Sequence, residues 1–222
     1  MKKYAIIVAG GSGLRMGSKT PKQFLVVGGK PILMHTIQQF YDFDKGIKII
    51  LVLPKEQIKH WEELCEKYNF DRQHQITYGG STRFHSVKNG LALVKEPDVL
   101  VAIHDGVRPF VSMHTMRNCF QMAAKSGNAI PVIDAYESVR LSDDEGNRAI
   151  DRNTVKMVQT PQVFTLNQLS KAYTQPHQPF FTDDASVVEE AGFDIHLTEG
   201  NRENIKITTP FDLKIATLLL QK

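Results

Sequence analysis

A glycine-rich segment with cations close to it is the strongest chemical signal in the sequence. It runs Ala9-Gly10-Gly11-Ser12-Gly13-Leu14-Arg15-Met16-Gly17, directly after an apolar stretch that predicts a strand. The cations near it are Arg15, Lys19 and Lys22. Glycines let backbone N–H groups turn toward an anion, and open α/β sheets bind ligands at the carboxyl ends of their strands. Fixed cations there suit a polyphosphate. Without the cations, the glycines fit a purely structural turn equally well.

Well-known phosphate-binding and catalytic motifs do not fit the sequence. A Walker loop needs Gly-Lys-Ser/Thr after its spacer, which the glycine-rich segment lacks. The dinucleotide fingerprint G-x-G-x-x-G is missed because Gly11, Gly13 and Gly17 are spaced G-x-G-x-x-x-G, which disfavours a nicotinamide-dependent oxidoreductase. Neither H-E-x-x-H nor G-x-S-x-G occurs, so zinc chemistry and an α/β-hydrolase are disfavoured as well.

A carboxylate is predicted at the end of another buried strand. The segment His104-Asp105-Gly106-Val107-Arg108-Pro109 follows the apolar run 99–103. If this strand neighbours the first one, Asp105 lies beside the glycine-rich segment, where a hard oxygen ligand suits Mg²⁺ bridging phosphate oxygens. Taken alone, the segment fits a turn in which Asp105 pairs with Arg108. Beside a cationic glycine loop, the metal is the favoured interpretation.

Helix capping and solvation are the simplest interpretations of the other polar segments. In the segment 79–86, either Ser81 or Thr82 can cap a helix, and an exposed helix N-terminus receives polar or anionic groups. Thr182, in the segment 181–186, also resembles an N-cap. Lys206 is a solvated lysine unless tertiary contacts involve it.

Composition and charge restrict the class of protein. The chain has 222 residues, of which 41% are hydrophobic and 23% charged, as expected for one globular domain over 1–222. The net charge of +3 and the scattered basic residues argue against general nucleic-acid binding. No apolar run approaches the ~20 residues that cross a bilayer, so no membrane association is expected. Cys65 and Cys119 form no C-x-x-C pair, which favours a reducing, cytoplasmic location.

Short apolar runs alternate with longer amphipathic segments along most of the chain. Strands are predicted at 4–8, 47–53 and 99–103, and helices at about 32–41, 56–68, 82–94, 115–124 and 211–220. Ser112 and Thr209 are the expected N-caps of the last two helices. The alternation predicts right-handed crossovers and therefore an α/β fold, a mainly parallel twisted sheet with helices on both faces.

Residues 134–154, which we call the arm, break this alternation. Stretches at 137–141 and 148–150 flank a polar turn that contains a glycine, which is the pattern of a β-hairpin poor in apolar residues. A lone hairpin is marginal in water and needs a surface to pack on. The spacing fits a surface excursion on its own domain and an arm that reaches a second subunit about equally.

An ordered set of segments resembles a known family. The segments are A-G-G-S-G-L-R-M-G, P-K-Q-F, G-G-S-T-R-F-H-S-V, H-D-G-V-R-P, T-P-Q-V-F, T-D-D-A-S and E-N-I-K-I-T-T-P-F-D-L. Together they are similar to the 2-C-methyl-D-erythritol 4-phosphate cytidylyltransferases of the non-mevalonate isoprenoid pathway, over nearly the whole chain. The resemblance implies a Rossmann-like nucleotidyltransferase fold, a homodimer formed through the arm, and Mg²⁺-dependent transfer of a cytidylyl group from CTP to a sugar-alcohol phosphate, with release of pyrophosphate.

The resemblance also implies roles for individual residues. The catalytic cations around the triphosphate would be Arg15, Lys22 and Lys206. Asp105 would hold the metal and contact the substrates. The nucleotide would be framed by Ala9, Gly10, Gly11, Gly13, Gly80, Ser81, Ser86 and Gly106. The sugar phosphate would be received by Arg108, Thr182 and Arg152 of the partner subunit.

The arm departs from the family pattern. Relatives usually read P-V-x-D-T, with the threonine touching substrate, whereas here Asp134 is followed by Ala135-Tyr136-Glu137. Ser138 would supply the displaced hydroxyl, or that hydroxyl is absent. Ribitol-5-phosphate cytidylyltransferases share most of the motifs, so ribitol 5-phosphate is the alternative acceptor. A nucleotide-binding module without catalysis is the alternative of another class, although it would be expected to have lost one of the three cations.

Overall fold

A computed structural model describes residues 1–11 and 20–221. Its strands are β1 (Lys3–Val8), β2 (Val26–Val27), β3 (Lys30–Pro31), β4 (Lys48–Leu53), β5 (Gln75–Tyr78), β6 (Leu100–Asp105), β7 (Asn128–Asp134), β8 (Val139–Asp143), β9 (Gly146–Ile150), β10 (Lys156–Val158), β11 (Gln162–Thr165) and β12 (Leu197–Glu199). Its helices are α1 (Ile32–Phe43), α2 (Ile58–Lys67), α3 (Arg83–Leu91), α4 (Met113–Ser126), α5 (Leu166–Ala172), α6 (Asp184–Glu190) and α7 (Pro210–Leu219). None of the helices in these ranges is long and apolar enough to cross a membrane.

The central sheet confirms the predicted α/β class. Its strand order is β10-β7-β11-β6-β1-β4-β5, and β12 also pairs with β7. Strands β6, β1, β4 and β5 are parallel neighbours, whereas β11 runs antiparallel to both β6 and β7. The antiparallel insertion was not predicted, because the short stretch at β11 carries no turn signal that distinguishes it from a loop.

The predicted strands are buried on both faces because alternate side chains enter different cores. In β1, Ala5 and Ile7 join one cluster of buried side chains, and Tyr4 and Ile6 join another. The first cluster is covered by α1, α2 and α4, and the second by α3, α5 and α6. Burying apolar surface at ~25 cal/mol per Å² on both sides makes this sheet the rigid frame of the molecule.

The helix boundaries follow capping chemistry. Ser112 caps α4 and Thr209 caps α7 as predicted, and Pro210 occupies the first turn of α7. Thr82 rather than Ser81 caps α3. The prediction for Thr182 was wrong: Asp183 is the N-cap of α6, and it forms a capping box with Ser186. A carboxylate accepts the N3 amide more strongly than a hydroxyl, so the helix begins one residue later.

The arm forms the predicted hairpin, with its first strand shifted by two residues and its second strand longer than expected. Strands β8 and β9 make a separate two-stranded sheet, in which Asp143 pairs with Gly146. Apart from Leu141 and Ala149, residues 140–149 are polar, charged or glycine. Every residue in this range is exposed. The hairpin therefore buries very little against its own chain.

Candidate active site

A cavity of about 270 Å³ opens at the carboxyl ends of β1, β5 and β6. Many of the predicted site residues line it together. They are Ala9, Gly10, Gly11, Lys22, Gly80, Ser81, Ser86, Asp105 and Lys206. Val8, Gln23, Thr82, Arg83 and Val107 complete the lining. Residues far apart in sequence thus meet at the sheet edge where open α/β folds bind their ligands.

The register of the sheet brings the carboxylate to the glycine-rich strand end. β1 and β6 are parallel neighbours, and Val8 pairs with Asp105. The Gly106 N–H donates to the Val8 carbonyl at 2.9 Å. A Cβ atom on Gly106 would lie only 2.8 Å from Cβ of Ala9, so only glycine allows the two strand ends to approach this closely. The predicted proximity of Asp105 to the glycine segment is therefore confirmed.

Three cations from different elements surround Asp105. Its Oδ2 lies 3.0 Å from Lys206 Nζ and 3.1 Å from Arg108 Nε, and its Oδ1 lies 3.9 Å from Arg83 Nε. Burial alone would raise the pKa of Asp105, but the charges of these three cations outweigh it and hold that pKa well below its usual range. Asp105 is thus a permanent anion at the cavity wall. Lys206, which could have been a solvated lysine, is drawn into the site by this contact.

Arg83 is a site residue to which sequence analysis assigned no role. It lines the cavity, and its Nη2 donates to Oδ2 of the fully buried Asp184 at 2.6 Å. Asp184 Oδ1 accepts a second bond at 2.6 Å from the hydroxyl of Tyr173. Burial would lower the pKa of Arg83, but the charge of Asp184 raises it. We call the five residues Asp105, Lys206, Arg108, Arg83 and Asp184 the charge cluster. A buried Arg–Asp pair 101 positions apart in sequence leaves no local pattern, so only the fold reveals it.

The N-terminal turn of α3 shapes one wall of the cavity. Ser86 Oγ accepts the Gly80 N–H at 3.0 Å and donates to the Thr82 carbonyl at 2.9 Å. A Cβ on Gly80 would lie 2.3 Å from Cβ of His85, so this wall requires glycine. Ser86 is thereby used to hold the loop, while the exposed Ser81 lines the cavity beside it.

Lys22 and Gln23 approach the glycine segment from the other side. Both lie in a 3₁₀ turn, Lys22–Phe24, that follows Pro21. Gln23 Nε2 donates to the Ala9 carbonyl at 2.8 Å, which ties the turn to the end of β1. A Cβ on Gly11 would lie 3.4 Å from Lys22 Cε, so the lysine side chain passes directly over the glycine. Arg15 and Gly13, the other predicted members of this loop, lie outside the described residues.

Some predicted site residues do not line the cavity. Arg108 lies behind Asp105, where its Nη1 donates to the Asn204 carbonyl at 2.8 Å. Thr182 precedes the cap of α6. Ser138 and Arg152 lie on the exposed arm, and Arg152 Nη1 donates to the Tyr136 carbonyl at 2.9 Å. The described part of one chain therefore brings most of the residues predicted to frame the nucleotide into one cavity, but not the arm residues.

The donor set at Asp105 fits a magnesium ion that also binds phosphate. Mg²⁺ is usually held in enzymes by one or two carboxylates together with substrate phosphates and water. Asp105 is the one acid among the described lining residues, and the part of the chain that the structure describes holds no cluster of three or more potential His, Cys, Asp or Glu ligands. Its Oδ2 lies 3.0 Å from Lys206 Nζ and 3.1 Å from Arg108 Nε, whereas Arg83 Nε lies 3.9 Å from Oδ1, so Oδ1 is the less tightly paired of the two oxygens. These features suit a metal that arrives with a polyphosphate.

A larger cavity lies at the opposite edge of the sheet and lacks comparable chemistry. It measures about 800 Å³ and is lined by residues at the amino ends of β1 and β4, including Tyr4, Lys48 and Glu96. Lys48 Nζ lies 3.1 Å from Glu96 Oε1, so these charges neutralise each other. Size alone therefore does not identify the functional site.

Comparison with known proteins identifies the family. A family model described as 2-C-methyl-D-erythritol 4-phosphate cytidylyltransferase matches residues 4–222. The chain belongs to this family. Members from Bacteroides thetaiotaomicron and Bacteroides fragilis are 58% and 59% identical to it over 220 residues, covering 99% of this chain and 100% of each relative. The solved family member from Thermus thermophilus superposes with a TM-score of 0.81 at 29% identity, with 100% of both chains covered. A 4-diphosphocytidyl-2C-methyl-D-erythritol synthase from Anaerococcus prevotii gives 0.83 at 30%, covering 100% of this chain and 99% of the other.

Proposed function

We propose that this cytidylyltransferase transfers the cytidylyl group of CTP to 2-C-methyl-D-erythritol 4-phosphate in the non-mevalonate route to isoprenoids. The products are pyrophosphate and the CDP-linked sugar alcohol. The observation that carries the proposal is the meeting of Lys22, Lys206 and Asp105 with the glycine segment in one cavity at the sheet edge. The names of the family and of its close relatives agree with this acceptor.

The reaction needs positioning and positive charge rather than a general base. A phosphate monoester has a second pKa near 6, so it is already a charged nucleophile at neutral pH. One of its oxygens forms a bond to the α-phosphorus of CTP while the bond from that phosphorus to the bridging oxygen of pyrophosphate breaks in line. Lys22 and Lys206, with Arg15 from outside the described residues, stabilise the negative charge that develops. Such fixed donors act strongly in a site of low dielectric.

Asp105 would hold Mg²⁺ against the triphosphate. The ion would supply Lewis-acid stabilisation of the phosphate oxygens. The carboxylate stays ionised because three cations surround it, so it remains a ligand throughout the neutral pH range. Removing free Mg²⁺ with a chelator is expected to abolish turnover, and equilibrium dialysis should show that Asp105→Asn weakens Mg²⁺ binding to the CTP complex.

Main-chain groups of the strand ends would frame the nucleotide. Among the described residues, no heavy atom lies within 4 Å of the position that a Cβ on Gly10 would take, so that side of the Gly10 backbone has room for a ligand. Gly80 and Ser81 form the facing wall, and Gly106 keeps the two strand ends close. A base read largely by backbone groups tolerates changes in side chain at position 81.

The arm would complete the acceptor side of a neighbouring site in a homodimer. The chain would form one nucleotidyltransferase domain, 1–222, with the arm as its dimerisation element. The hairpin is exposed to solvent on its own chain. Because an isolated two-stranded hairpin is only marginally stable in water, this exposure suits a hairpin that packs on a second copy of the chain. Arg152, and Ser138 in place of the usual threonine, would then reach the sugar phosphate bound by the other subunit.

Complementation between two impaired variants, assayed at an acceptor concentration well below KM, tests this sharing. Lys22→Ala damages the cavity and Arg152→Ala damages the arm, so a mixed dimer retains one site with both parts intact. Since half of randomly mixed dimers are hybrid, mixing should restore about a quarter of wild-type activity. Arms that serve their own subunit would give no restoration at all, and that result would contradict the proposal. Sedimentation velocity of the wild type checks that the dimer exists.

The reaction itself is tested by following pyrophosphate release. The wild-type protein is incubated with CTP and Mg²⁺ together with 2-C-methyl-D-erythritol 4-phosphate, ribitol 5-phosphate or no acceptor. We expect release with the first acceptor and at least ~10-fold less with the second. Preference for ribitol 5-phosphate would overturn the acceptor assignment. Binding of CTP without release with either acceptor would indicate a non-catalytic nucleotide-binding module instead.

A cytoplasmic location is part of the same proposal. Cys65 and Cys119 are free thiols, which persist in the reducing cytosol. The supply of CTP there matches the proposed reaction.

A further inference from the structure

His104 is a fully buried histidine next to Asp105 that the proposed mechanism does not use. Its Nε2 lies 3.0 Å from the Arg108 carbonyl oxygen, and its Nδ1 lies 3.0 Å from Thr160 Oγ1. The ring also packs edge-on against Phe40, with 5.0 Å between the ring centroids. Both ring nitrogens and one ring edge are therefore engaged, which leaves the imidazole a single orientation.

The partners of His104 determine where its proton lies. A carbonyl oxygen only accepts hydrogen bonds, so Nε2 must carry the proton that bonds to the Arg108 carbonyl. In a neutral imidazole Nδ1 then accepts, and the hydroxyl of Thr160 donates to it. A cationic ring would add a buried positive charge beside Arg83, Arg108 and Lys206, which Asp105 already has to balance.

Thr160 continues the hydrogen-bond chain to the backbone of the turn 105–108, which contains Asp105. Its Oγ1 accepts the Asp105 N–H at 3.1 Å while its own proton points to His104. Its carbonyl accepts Nδ2 of Asn204 at 2.8 Å, and the Asn204 carbonyl accepts Arg108 Nη1 at 2.8 Å. The turn closes on itself where the Arg108 N–H donates to the Asp105 carbonyl at 3.1 Å. His104 and Thr160 therefore hold both ends of the turn 105–108.

We propose that His104 is a positioning residue, whose Nε2–H tautomer, set by Thr160, fixes the turn 105–108 and thereby the place of Asp105 in the cavity wall. The role rests on the proposed cytidylyl transfer, whereas the tautomer is a property of the folded protein alone. The bond from His104 to Thr160 spans 56 positions in the chain, so no local pattern in the sequence reveals it. The segments H-D-G-V-R-P and T-P-Q-V-F thereby act as one unit.

Nitrogen NMR of the wild-type protein tests the tautomer. Uniformly ¹⁵N-labelled protein at pH 7.5 gives long-range correlations from the imidazole carbon-bound protons to both ring nitrogens, and the His104→Gln variant assigns the signal. We expect the shifts of a neutral ring protonated at Nε2. A ring protonated at Nδ1, or at both nitrogens, would overturn the proposal. This result does not depend on any catalytic activity.

Variants at Thr160 test the positioning role. Thr160→Val keeps the shape of the side chain and removes the hydroxyl, while Thr160→Ser keeps the hydroxyl. We expect Thr160→Val and His104→Gln to lower kcat/KM for the sugar phosphate roughly 10- to 100-fold, since small displacements of reacting groups have effects of that size. Thr160→Ser should stay within about 3-fold of wild type, and CTP binding measured without Mg²⁺ should change less than about 3-fold in all three variants.

A matched histidine outside the site separates positioning from stability. His35 Nε2 also bonds to a backbone carbonyl, that of Val27 at 2.7 Å, and His35→Gln should lower the melting temperature without changing kcat/KM. Equal losses in Thr160→Val and Thr160→Ser, or wild-type kinetics in Thr160→Val, would overturn the positioning role. If the wild type itself releases no pyrophosphate, the proposed function fails, while the NMR result still decides the hydrogen-bond arrangement.

Discussion

The charge cluster and the arm are held in place by opposite means. The side chain of Asp105 is 11% exposed and contacts cations from α3, from the turn after β6 and from the segment before α7. On the arm, Asp134 is 77% exposed and pairs with Lys156 of the adjacent strand. The cluster is fixed by the core of its own chain, whereas the arm is fixed by little beyond its own hairpin. The proposed contact of the arm with a substrate would therefore depend on a second subunit.

The contrast also decides how much each ion pair contributes. In water, a pair of exposed charges gains only ~0–1 kcal/mol, because the solvent screens it. In the interior, the loss of one partner leaves an uncompensated charge and costs ~3–5 kcal/mol. The same chemistry, Asp with a basic residue, thus has very different consequences at the two places.

Removing one acid from each region should give the largest difference. Asp184→Ala leaves Arg83, whose side chain is 27% exposed, with only the more distant Asp105, so we expect the free energy of unfolding to fall by ~3 kcal/mol. Asp134→Ala, its matched control on the arm, should leave that free energy close to the wild-type value, because solvent screens this exposed pair. Urea unfolding followed by circular dichroism measures both. Similar losses in the two variants would show that burial does not separate the regions as described.

Truncating a cavity cation should give a comparable effect on catalysis instead of stability. Lys22→Ala removes a fixed charge beside Gly11, and we expect kcat to fall ~10²–10³-fold while CTP binding weakens much less. Lys59→Ala, on the exposed surface of α2, is the control that should retain wild-type turnover. Steady-state pyrophosphate release and calorimetric CTP titration provide the two quantities. Near-normal turnover in Lys22→Ala would remove the electrostatic role of this lysine.

Local patterns in the sequence predicted the buried strands and the glycine segment of the cavity, but they did not predict the long-range ion pairs in its walls. The buried strands β1, β4 and β6 were recognisable from continuous apolar runs, and the glycine segment followed from its place after the first of them. Arg83 and Asp184 were missed because a long-range ion pair has no period or spacing. The resemblance supplied roles for Arg152 and Ser138 that one chain cannot display. Physical proximity across the sheet edge depends on strand order, which the alternation of elements leaves undetermined.

The arm should matter to the acceptor and not to the stability of its own chain. Arg152→Ala is expected to raise KM for the sugar phosphate ~10- to 100-fold, as the loss of a charged hydrogen bond predicts, with KM for CTP unchanged. Arg148→Ala removes the same charge from the exposed strand β9 and should leave both constants near wild type. Melting temperatures of the two variants should match. An unchanged KM for the acceptor in Arg152→Ala would exclude the arm from binding it.

The smallest effect, thiol reactivity, probes the same contrast without any substrate. Burial raises the pKa of Cys65 to about 11 and that of Cys119 to about 12, so both thiols are protonated at pH 8. Less than ~0.1% of either is thiolate, against about a quarter of an ordinary exposed cysteine. A cysteine introduced on the arm, Ser142→Cys, is exposed and should react with a disulfide reagent at the ordinary rate.

The pH dependence distinguishes the arm thiol from the two in the core. Raising the pH from 7 to 8.5 should increase the rate at Ser142→Cys nearly in proportion to its thiolate fraction, while Cys65 and Cys119 remain slow at both values because their pKa values lie far above the range. In urea, which unfolds the chain, all three thiols should react at the ordinary rate of an exposed cysteine. If the native thiols react as fast as the arm cysteine in the folded protein, the core side opens locally on that timescale. The core beside the charge cluster would then be held in place no more rigidly than the arm.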